Sequence, residues 1–226
     1  MSLKDISIKQ EYRSLSDDIV NDFYIPLLQE ATLYQRAVGF FSSSALIELT
    51  KGICGLVKNK GKIKLIASPR LSEEDIEAIN NGLEKREKII EKALLRCLEN
   101  HNGDFQEDRL NLLSNLIAYD VLEIKIAFLE SANEYAMYHE KMGLITDDLG
   151  NSVAFSGSMN ESQNAFRQNY ESIDVFTSWS ESSSRVKNKI NIFNSMWNNS
   201  EKGVLVLDFP NVSKSILDKY KKNNQK

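Results

Sequence analysis

The chain has 226 residues, of which 42% are hydrophobic and 27% are charged, and its formal net charge is −4. This composition is typical of a soluble globular protein and excludes the disordered and fibrous classes. The acidic balance excludes a general polyanion-binding protein, because nonspecific affinity for nucleic acid depends on many Lys and Arg contacts to phosphate. We find no signal peptide and no stretch near the roughly 18 apolar residues that span a bilayer. These features predict a cytoplasmic protein with a single domain over residues 1–226.

Hydrophobic periodicity divides the first 120 residues into helices and short buried strands. A proline at position 26 should kink or interrupt the first helix. The last two helices form a predicted helical insertion over about 71–120. The predicted helices are 16–31, 45–59, 71–100 and 107–120, and the predicted strands are 36–41 and 62–68.

The second half of the chain is predicted to contain mostly strands. Asp147 and Asp148 lie in a turn that joins two of them into a hairpin. Strands that alternate with helices predict an α/β fold, and the hairpin makes its sheet mixed rather than purely parallel. The predicted strands are 122–128, 135–146, 152–157, 170–176 and 204–209, and a helix is predicted over 182–197.

Polar side chains on both strands of this hairpin form the candidate site. His139 and Lys141 are two residues apart, so the alternation of a strand puts both side chains on one face. Antiparallel pairing should bring Asn160 back beside His139, and unpaired backbone N–H groups at the end of strand 152–157 would attract an anion. An imidazole, an ammonium and an amide at one point suit a phosphate group.

Further polar residues are candidates for supporting roles. A carboxylate at position 171, on the next strand, could accept a proton from the far ring nitrogen of a histidine and make the attacking nitrogen more basic. Ser158 is equally suited to capping the helix that follows, and Arg70 to a surface ion pair. The candidate catalytic residues are therefore His139, Lys141, Asn160 and Glu171, and the candidate substrate-binding residues are Ser156, Ser158, Arg70 and Arg167.

The sequence predicts neither a metal site nor another cofactor. It contains no HExxH motif, no pair of closely spaced cysteines and no cluster of His and Asp. A serine hydrolase built on Ser158 is disfavoured, because the segment FSGSMN lacks the Gly-x-Ser-x-Gly elbow of that class.

The region of the candidate site resembles the phospholipase D superfamily. His139-Glu140-Lys141, followed by Gly157-Ser158-Met159-Asn160, is similar to the His-x-Lys and Gly-Ser-x-Asn signature of that superfamily. The segments RAVGFFS and KIKLIASPR are similar to the early strands of its nuclease branch, especially the N-terminal domains of bacterial helicase-type and restriction-associated proteins.

The sequence departs from the superfamily pattern at one position. The superfamily has an aspartate five residues after the lysine, where this chain has Thr146. Asp147 comes one residue late and Asp148 follows it. We therefore interpret both aspartates as turn residues.

The resemblance implies a phospholipase D-like mixed sheet flanked by helices, with a single His-x-Lys and Gly-Ser-x-Asn motif in the chain. It also implies a metal-independent nuclease that cleaves DNA phosphodiesters through a phosphohistidine, in which one histidine attacks phosphorus and a second protonates the leaving oxygen. The other histidine of this chain, His101, lies in a predicted turn without a motif. The second catalytic histidine is therefore expected to be His139 of another subunit, in a homodimer.

The expected partners are DNA, a second copy of the chain and a fused or associated helicase domain, in restriction or DNA repair, with no membrane. A noncatalytic nucleic-acid-binding or dimerisation module of the same fold is the alternative. A lipid phosphodiesterase is a third hypothesis, disfavoured because the sequence has no basic amphipathic membrane helix. The opening MSL and the lysine-rich end would fit an N-terminal domain excised from a larger protein.

Overall fold

The structure, a computed structural model, describes residues 2–68, 71–72, 74, 76–78, 80–81, 105–130 and 138–209. Within this part of the chain, strands and helices alternate as the sequence predicts. The strands are β1 (Glu11–Arg13), β2 (Leu33–Val38), β3 (Lys62–Ala67), β4 (Leu122–Leu129), β5 (Lys141–Thr146), β6 (Ser152–Gly157), β7 (Ser172–Thr177) and β8 (Val204–Asp208). The helices are α1 (Ile25–Glu30), α2 (Ser44–Glu48), α3 (Thr50–Lys58), α4 (Phe105–Ala118), α5 (Gln163–Arg167) and α6 (Ser183–Trp197).

These strands form one eight-stranded sheet in the order β1-β7-β6-β5-β2-β3-β4-β8. The central strands β2, β3 and β4 are parallel, and every other neighbouring pair is antiparallel. The hairpin of β5 and β6 pairs with β2 through β5, so the candidate site lies beside the middle of the sheet. The mixed α/β sheet that the sequence predicts is confirmed.

Two hydrophobic clusters lie on opposite faces of the sheet. The larger cluster contains apolar residues of α1, α3 and α4, and the smaller one contains the apolar stripe of α6. On β2, Tyr34 and Val38 belong to the larger cluster, whereas Ala37 belongs to the smaller. Alternation along the strand therefore also directs Arg36 toward the larger cluster.

The bounds of strand β2 differ from those predicted. It begins at Leu33 and ends at Val38, whereas the sequence predicts a strand over 36–41. After Val38 the backbone leaves the sheet and bonds to the loop that follows β6: the Glu161 N–H donates to the carbonyl of Phe40 at 3.3 Å, and the Ser42 N–H donates to that of Glu161 at 3.0 Å. Phe40 is apolar but lies outside the hydrogen-bond ladder. Hydrophobic periodicity alone does not distinguish such a residue from one within the strand.

The predicted helix over 16–31 is shorter and changes its hydrogen-bond pattern. It begins as a π-helical turn over Val20–Tyr24 and continues as α1, with Pro26 in the first turn of the α-helix. Proline is tolerated there because the first N–H groups of an α-helix have no partner within the helix. The helix therefore continues through Pro26, and its hydrogen-bond pattern changes from π to α just before that residue. The predicted helix over 71–100 lies mostly outside the described residues.

A buried ion pair connects β2 to the loop after β6. Arg36 and Glu161 are 1% and 2% exposed, and Nε of Arg36 donates to Oε2 of Glu161 at 2.7 Å. The same guanidinium donates to the carbonyl of Met159 at 2.6 Å, and the Tyr34 hydroxyl donates to Oε1 of Glu161 at 2.9 Å. Both charges are therefore hydrogen-bonded on more than one side, which offsets the cost of removing them from water.

The turn between β5 and β6 is organised by Asp147. Its Oδ1 accepts from the N–H groups of Leu149 (3.1 Å) and Asn151 (2.8 Å). Its Oδ2 accepts from the Ser2 hydroxyl (3.0 Å) and the Leu3 N–H (3.1 Å), so the same carboxylate attaches the N-terminal segment. Burial would raise the pKa of Asp147, but the hydrogen bonds from Asn151, Leu3 and Ser2 outweigh it and hold the pKa below its ordinary value. Asp147 is a turn residue, as the sequence predicts.

We predict that Arg36→Met strongly destabilises the fold. The substitution leaves the Glu161 carboxylate buried without its counter-charge, and breaking a buried pair in this way costs about 3–5 kcal/mol. Denaturant titration of the wild type and the variant measures this loss as a decrease in the free energy of unfolding. The double variant Arg36→Met/Glu161→Leu removes both charges and should recover most of the loss. Equal losses in the single and double variants would contradict the assignment.

We predict that Asp147→Asn destabilises the fold at neutral pH but not in acid. An amide NH₂ in place of Oδ2 faces donors, and leaving buried donors unsatisfied costs about 1–3 kcal/mol. Because the folded-state pKa lies below the unfolded value of about 3.9, the carboxylate stabilises the fold above that pH, and this contribution is lost as the pH falls through the folded-state value. Thermal unfolding between pH 3 and pH 7 measures the difference, with exposed Asp148→Asn as the matched control. A difference that persists unchanged in acid would refute the carboxylate's role.

Candidate active site

An open cleft of about 630 Å³ lies where β5 begins and β6 ends. It contains most of the residues that the sequence predicts for the site, and it adds Glu140, Gly157 and Lys189. Its lining residues are His139, Glu140, Lys141, Ser156, Gly157, Ser158, Asn160 and Lys189.

His139 and Lys141 are in direct contact. Strand β5 begins at Lys141, so His139 precedes the strand rather than lying on it as the sequence predicts. The two side chains nevertheless share one side, because Nζ of Lys141 is 2.8 Å from Nε2 of His139. An ammonium can only donate, so Nε2 accepts this hydrogen bond and the ring proton of the neutral imidazole is on Nδ1. Burial lowers the pKa of Lys141, whereas the nearby Glu171 carboxylate acts in the opposite direction.

Gly39 determines where the histidine ring can lie. A Cβ atom at this position would be 2.7 Å from Cδ2 and 3.1 Å from Cα of His139. The carbonyl of Gly39 accepts a hydrogen bond from the buried Ser68 hydroxyl at 2.5 Å, which fixes the backbone behind the ring. Only glycine therefore allows the histidine to pack this closely against the end of β2.

Asn160 is oriented by the chain that follows β2. Its Oδ1 accepts a hydrogen bond from the N–H of Phe40 at 3.2 Å. This bond leaves Nδ2 as the donor of the side chain within the cleft. Because the next residue is the buried Glu161, the ion pair with Arg36 holds the backbone of Asn160 in place.

The end of β6 is tightly packed against β7. A Cβ atom on Gly157 would be 1.9 Å from the carbonyl oxygen of Ser172, so only glycine fits. Ser158 donates its N–H to that carbonyl at 3.0 Å and accepts from the Ser172 N–H through Oγ at 3.1 Å. The prediction of unpaired backbone N–H groups here is therefore wrong for Ser158, because the ladder continues past the strand end. The helix cap is Ser162, whose Oγ accepts from the Ala165 N–H at 3.3 Å.

The remaining predicted site residues do not line the cleft. Glu171 precedes β7 instead of lying on it, is buried and accepts from Nδ2 of Asn169 at 3.2 Å. Arg167 lies on α5 and is paired with Glu48 at 2.8 Å. The structure therefore does not bring Arg167 into the site. Arg70 and His101 lie outside the described residues.

Three residues of the site and its support were not predicted from the sequence. Arg36 and Glu161 fix the loop that carries Asn160, and Lys189 adds a second ammonium to the cleft. The signal for Lys189 was its place in the predicted helix 182–197, where it falls on the apolar stripe. The signal for the ion pair was a charged residue at the start of an apolar strand, although nothing in the sequence identifies its partner.

Two general properties of the described residues bear on the site. They contain no group of three or more His, Cys, Asp or Glu side chains placed to hold a metal ion. In the same part of the chain, no helix combines the length and the apolar character needed to cross a membrane.

Comparison with known proteins identifies the family. A sequence model described as "Cardiolipin synthase, PLD-like domain" matches residues 27–197. A search of curated proteins gave no match.

Among solved structures, NucT from Helicobacter pylori is 16% identical, with a TM-score of 0.53 over 88% of this chain and 96% of its own. Nuc from Salmonella typhimurium, a phospholipase D family member, is 12% identical, with a TM-score of 0.48 over 84% and 93%. The likeness to NucT supports a common fold. Because the matched residues span most of the chain and include His139, Lys141 and Asn160, this protein belongs to the PLD-like domain family of the phospholipase D superfamily.

Proposed function

We propose that this protein is a metal-independent phosphodiesterase that cleaves DNA through a covalent intermediate on His139. The proposal depends on one observation, the 2.8 Å contact between Nε2 of His139 and Nζ of Lys141 in a cleft shared with Asn160. These groups provide a nucleophile, a cation and an amide donor for one phosphate. They match the positions of the superfamily signature.

The first chemical step forms a bond between Nε2 of His139 and phosphorus and breaks the bond from phosphorus to the leaving oxygen. An acid protonates that oxygen as it leaves. In the second step a water oxygen attacks phosphorus, its proton passes to the group that acted as the acid, and the nitrogen–phosphorus bond breaks. The products are a phosphate monoester, an alcohol and the free imidazole.

The contacts within the site suggest how substrate enters this scheme. Lys141 donates a hydrogen bond to Nε2 of His139. When substrate binds, a phosphate oxygen would replace Nε2 as the acceptor of this hydrogen bond. The exchange frees the lone pair of Nε2 for attack and moves the cation to the oxygen where negative charge develops. Nδ2 of Asn160 would bind a second non-bridging oxygen, since its Oδ1 is held by Phe40.

The lining of the cleft favours a nucleic-acid backbone over a lipid. Every lining residue except Gly157, which has no side chain, is of a polar or charged type. A site for a phospholipid needs hydrophobic side chains beside the parts of the acyl chains next to the headgroup, and no hydrophobic residue is among those that line the cleft. We therefore take DNA as the substrate class.

The proposed scheme needs a second histidine to protonate the leaving oxygen. We propose that His139 of the partner subunit supplies it, in a symmetric dimer whose two clefts meet near the two-fold axis. Because His139 is exposed at the open side of its cleft, a second copy can approach it. Glu171 is proposed to position Nδ1–H of the nucleophilic ring, while Ser156 and Ser158 contact the substrate. Target selection by a helicase-type domain, in restriction or repair, stays a prediction from the sequence.

We predict that cleavage of a DNA oligonucleotide continues in excess EDTA and is lost in His139→Ala. Removing the nucleophile should lower kcat by at least about 10³-fold, because no other group can form the intermediate. Gel analysis of a labelled oligonucleotide measures the rate. Mass spectrometry of protein quenched at alkaline pH should show the peptide that contains His139 joined, through a nitrogen–phosphorus bond, to the phosphate-terminated fragment of the cleaved oligonucleotide. His101→Ala is the matched control and should keep the activity.

Other outcomes would favour the other hypotheses. Cleavage that stops in EDTA would argue for a metal enzyme. DNA binding without turnover of DNA or of bis-p-nitrophenyl phosphate would favour a noncatalytic binding module. Turnover of phosphatidylcholine vesicles, with no turnover of DNA, would favour a lipid phosphodiesterase.

We predict that the composite site makes activity depend on both subunits of a dimer. When wild-type protein is mixed with increasing amounts of His139→Ala and the subunits exchange, activity should fall as the square of the wild-type fraction, because a mixed dimer has one histidine at a site that needs two. Sedimentation velocity checks that the assembly is a dimer. A fully active monomer, or a linear decrease in activity, would refute the composite site.

A further inference from the structure

We propose that Lys189 binds the phosphate next to the scissile phosphate of a polynucleotide, and thereby selects a polyanionic strand over an isolated phosphodiester. This inference rests on the proposed function, since it assigns a neighbour to the phosphate held by His139 and Lys141. Lys189 lies on α6 and lines the same cleft as those two residues.

The position of Lys189 on its helix is unusual for a lysine. It lies three residues after Val186 and four before Phe193, and both of those side chains are buried against the sheet. Residues at this spacing share one helix face, so the ammonium extends from the stripe that faces the protein. A lysine in such a place is costly unless its charge reaches solvent or meets an anion, and here it reaches the cleft.

In the described part of the chain, the Lys189 ammonium forms no ion pair with a carboxylate. Several other cations are paired, such as Lys9 with Asp17 at 2.6 Å and Arg167 with Glu48 at 2.8 Å. An unpaired ammonium at the wall of a polar cleft provides a binding group for an external anion.

The two ammonium groups enter the cleft from opposite layers of the protein. Met142 belongs to the hydrophobic cluster that contains the stripe of α6, so alternation along β5 directs Lys141 away from α6. Lys189 comes from α6 itself. A phosphate held by Lys141 and His139 therefore lies against one wall, and Lys189 is available on the other.

The size of the cleft leaves room for this second phosphate. Pockets of about 300–1,000 Å³ hold drug-sized ligands, and this cleft of about 630 Å³ lies within that range. It is therefore larger than one phosphate group needs. A groove of about 880 Å³ beside β7 and the start of α6 is a weaker candidate for an anion, because its two cations, Lys9 and Arg185, are accompanied by three carboxylates. These carboxylates belong to Glu11, Asp174 and Glu181.

The test measures DNA binding in the His139→Ala background, so that catalysis does not enter. Fluorescence anisotropy with a labelled single-stranded oligonucleotide should show that Lys189→Gln weakens binding by about tenfold. The slope of the logarithm of the association constant against the logarithm of the salt concentration should become shallower by about 0.7. This is the value for the loss of one phosphate contact to a single strand. Lys187→Gln removes the same charge from an exposed position on the same helix and should change the dissociation constant less than about twofold.

A second measurement separates the flanking phosphate from the scissile one. In the active protein, Lys189→Gln should lower kcat/KM for DNA several-fold more than kcat/KM for bis-p-nitrophenyl phosphate, because that substrate has no flanking phosphate. Lys189→Arg should restore DNA binding, and thermal unfolding should show that Lys189→Gln is folded.

Each contrary result overturns the inference in a recognisable way. Equal weakening by Lys187→Gln would show that only net charge matters, and absence of DNA binding in the His139→Ala parent would remove the ligand. An equal loss with bis-p-nitrophenyl phosphate would place Lys189 at the scissile phosphate. If DNA binds through Lys189 but is never cleaved, the proposed function fails while this inference holds.

Discussion

The candidate site depends on the buried ion pair between Arg36 and Glu161. Such a pair adds little to stability compared with apolar residues of the same volume, because both charges lose their water. Its effect here is positional: it joins the middle strand of the sheet to the loop that carries Asn160. The same connection brings Phe40 to the amide of Asn160, while the neighbouring Gly39 abuts the ring of His139. We infer that the pair is a device for holding the nucleophile and the amide in one geometry.

The part of the site that was predictable from the sequence is local. His139, Lys141 and Asn160 belong to one hairpin, and both alternation along a strand and pairing across a short turn follow from patterns within some twenty residues. The ion pair joins residues that are 125 positions apart in the chain. It forms only because β2 lies beside β5 in the sheet. Hydrophobic periodicity along the sequence does not indicate which strands are neighbours.

Strand β1 was missed altogether and the predicted helix 45–59 is divided in two, but several other errors lie at the ends of strands, for a physical reason. Hydrophobicity indicates burial, whereas the end of a strand is set by which backbone groups find partners. The ladder of β2 stops at Val38 although apolar residues continue, and the pairing of β6 with β7 continues through the Ser158 N–H although the residues become polar. The same rule explains Lys189. Its helix was predicted, but its direction into the cleft follows only from the packing of α6 against the sheet.

The proposed action on a polyanion requires an acidic protein to concentrate its positive charge. Most ion pairs in the described residues neutralise cations at the surface, as with Lys62 and Asp120 or Lys125 and Asp208. Lys141 and Lys189 face the cleft instead, so their charges attract an anion to the neighbourhood of His139. Few phosphate contacts give weak binding, since affinity for nucleic acid grows with their number. Under the proposed function, each chain therefore provides one histidine to a composite site, and additional contacts to DNA must come from the second copy or from another DNA-binding domain.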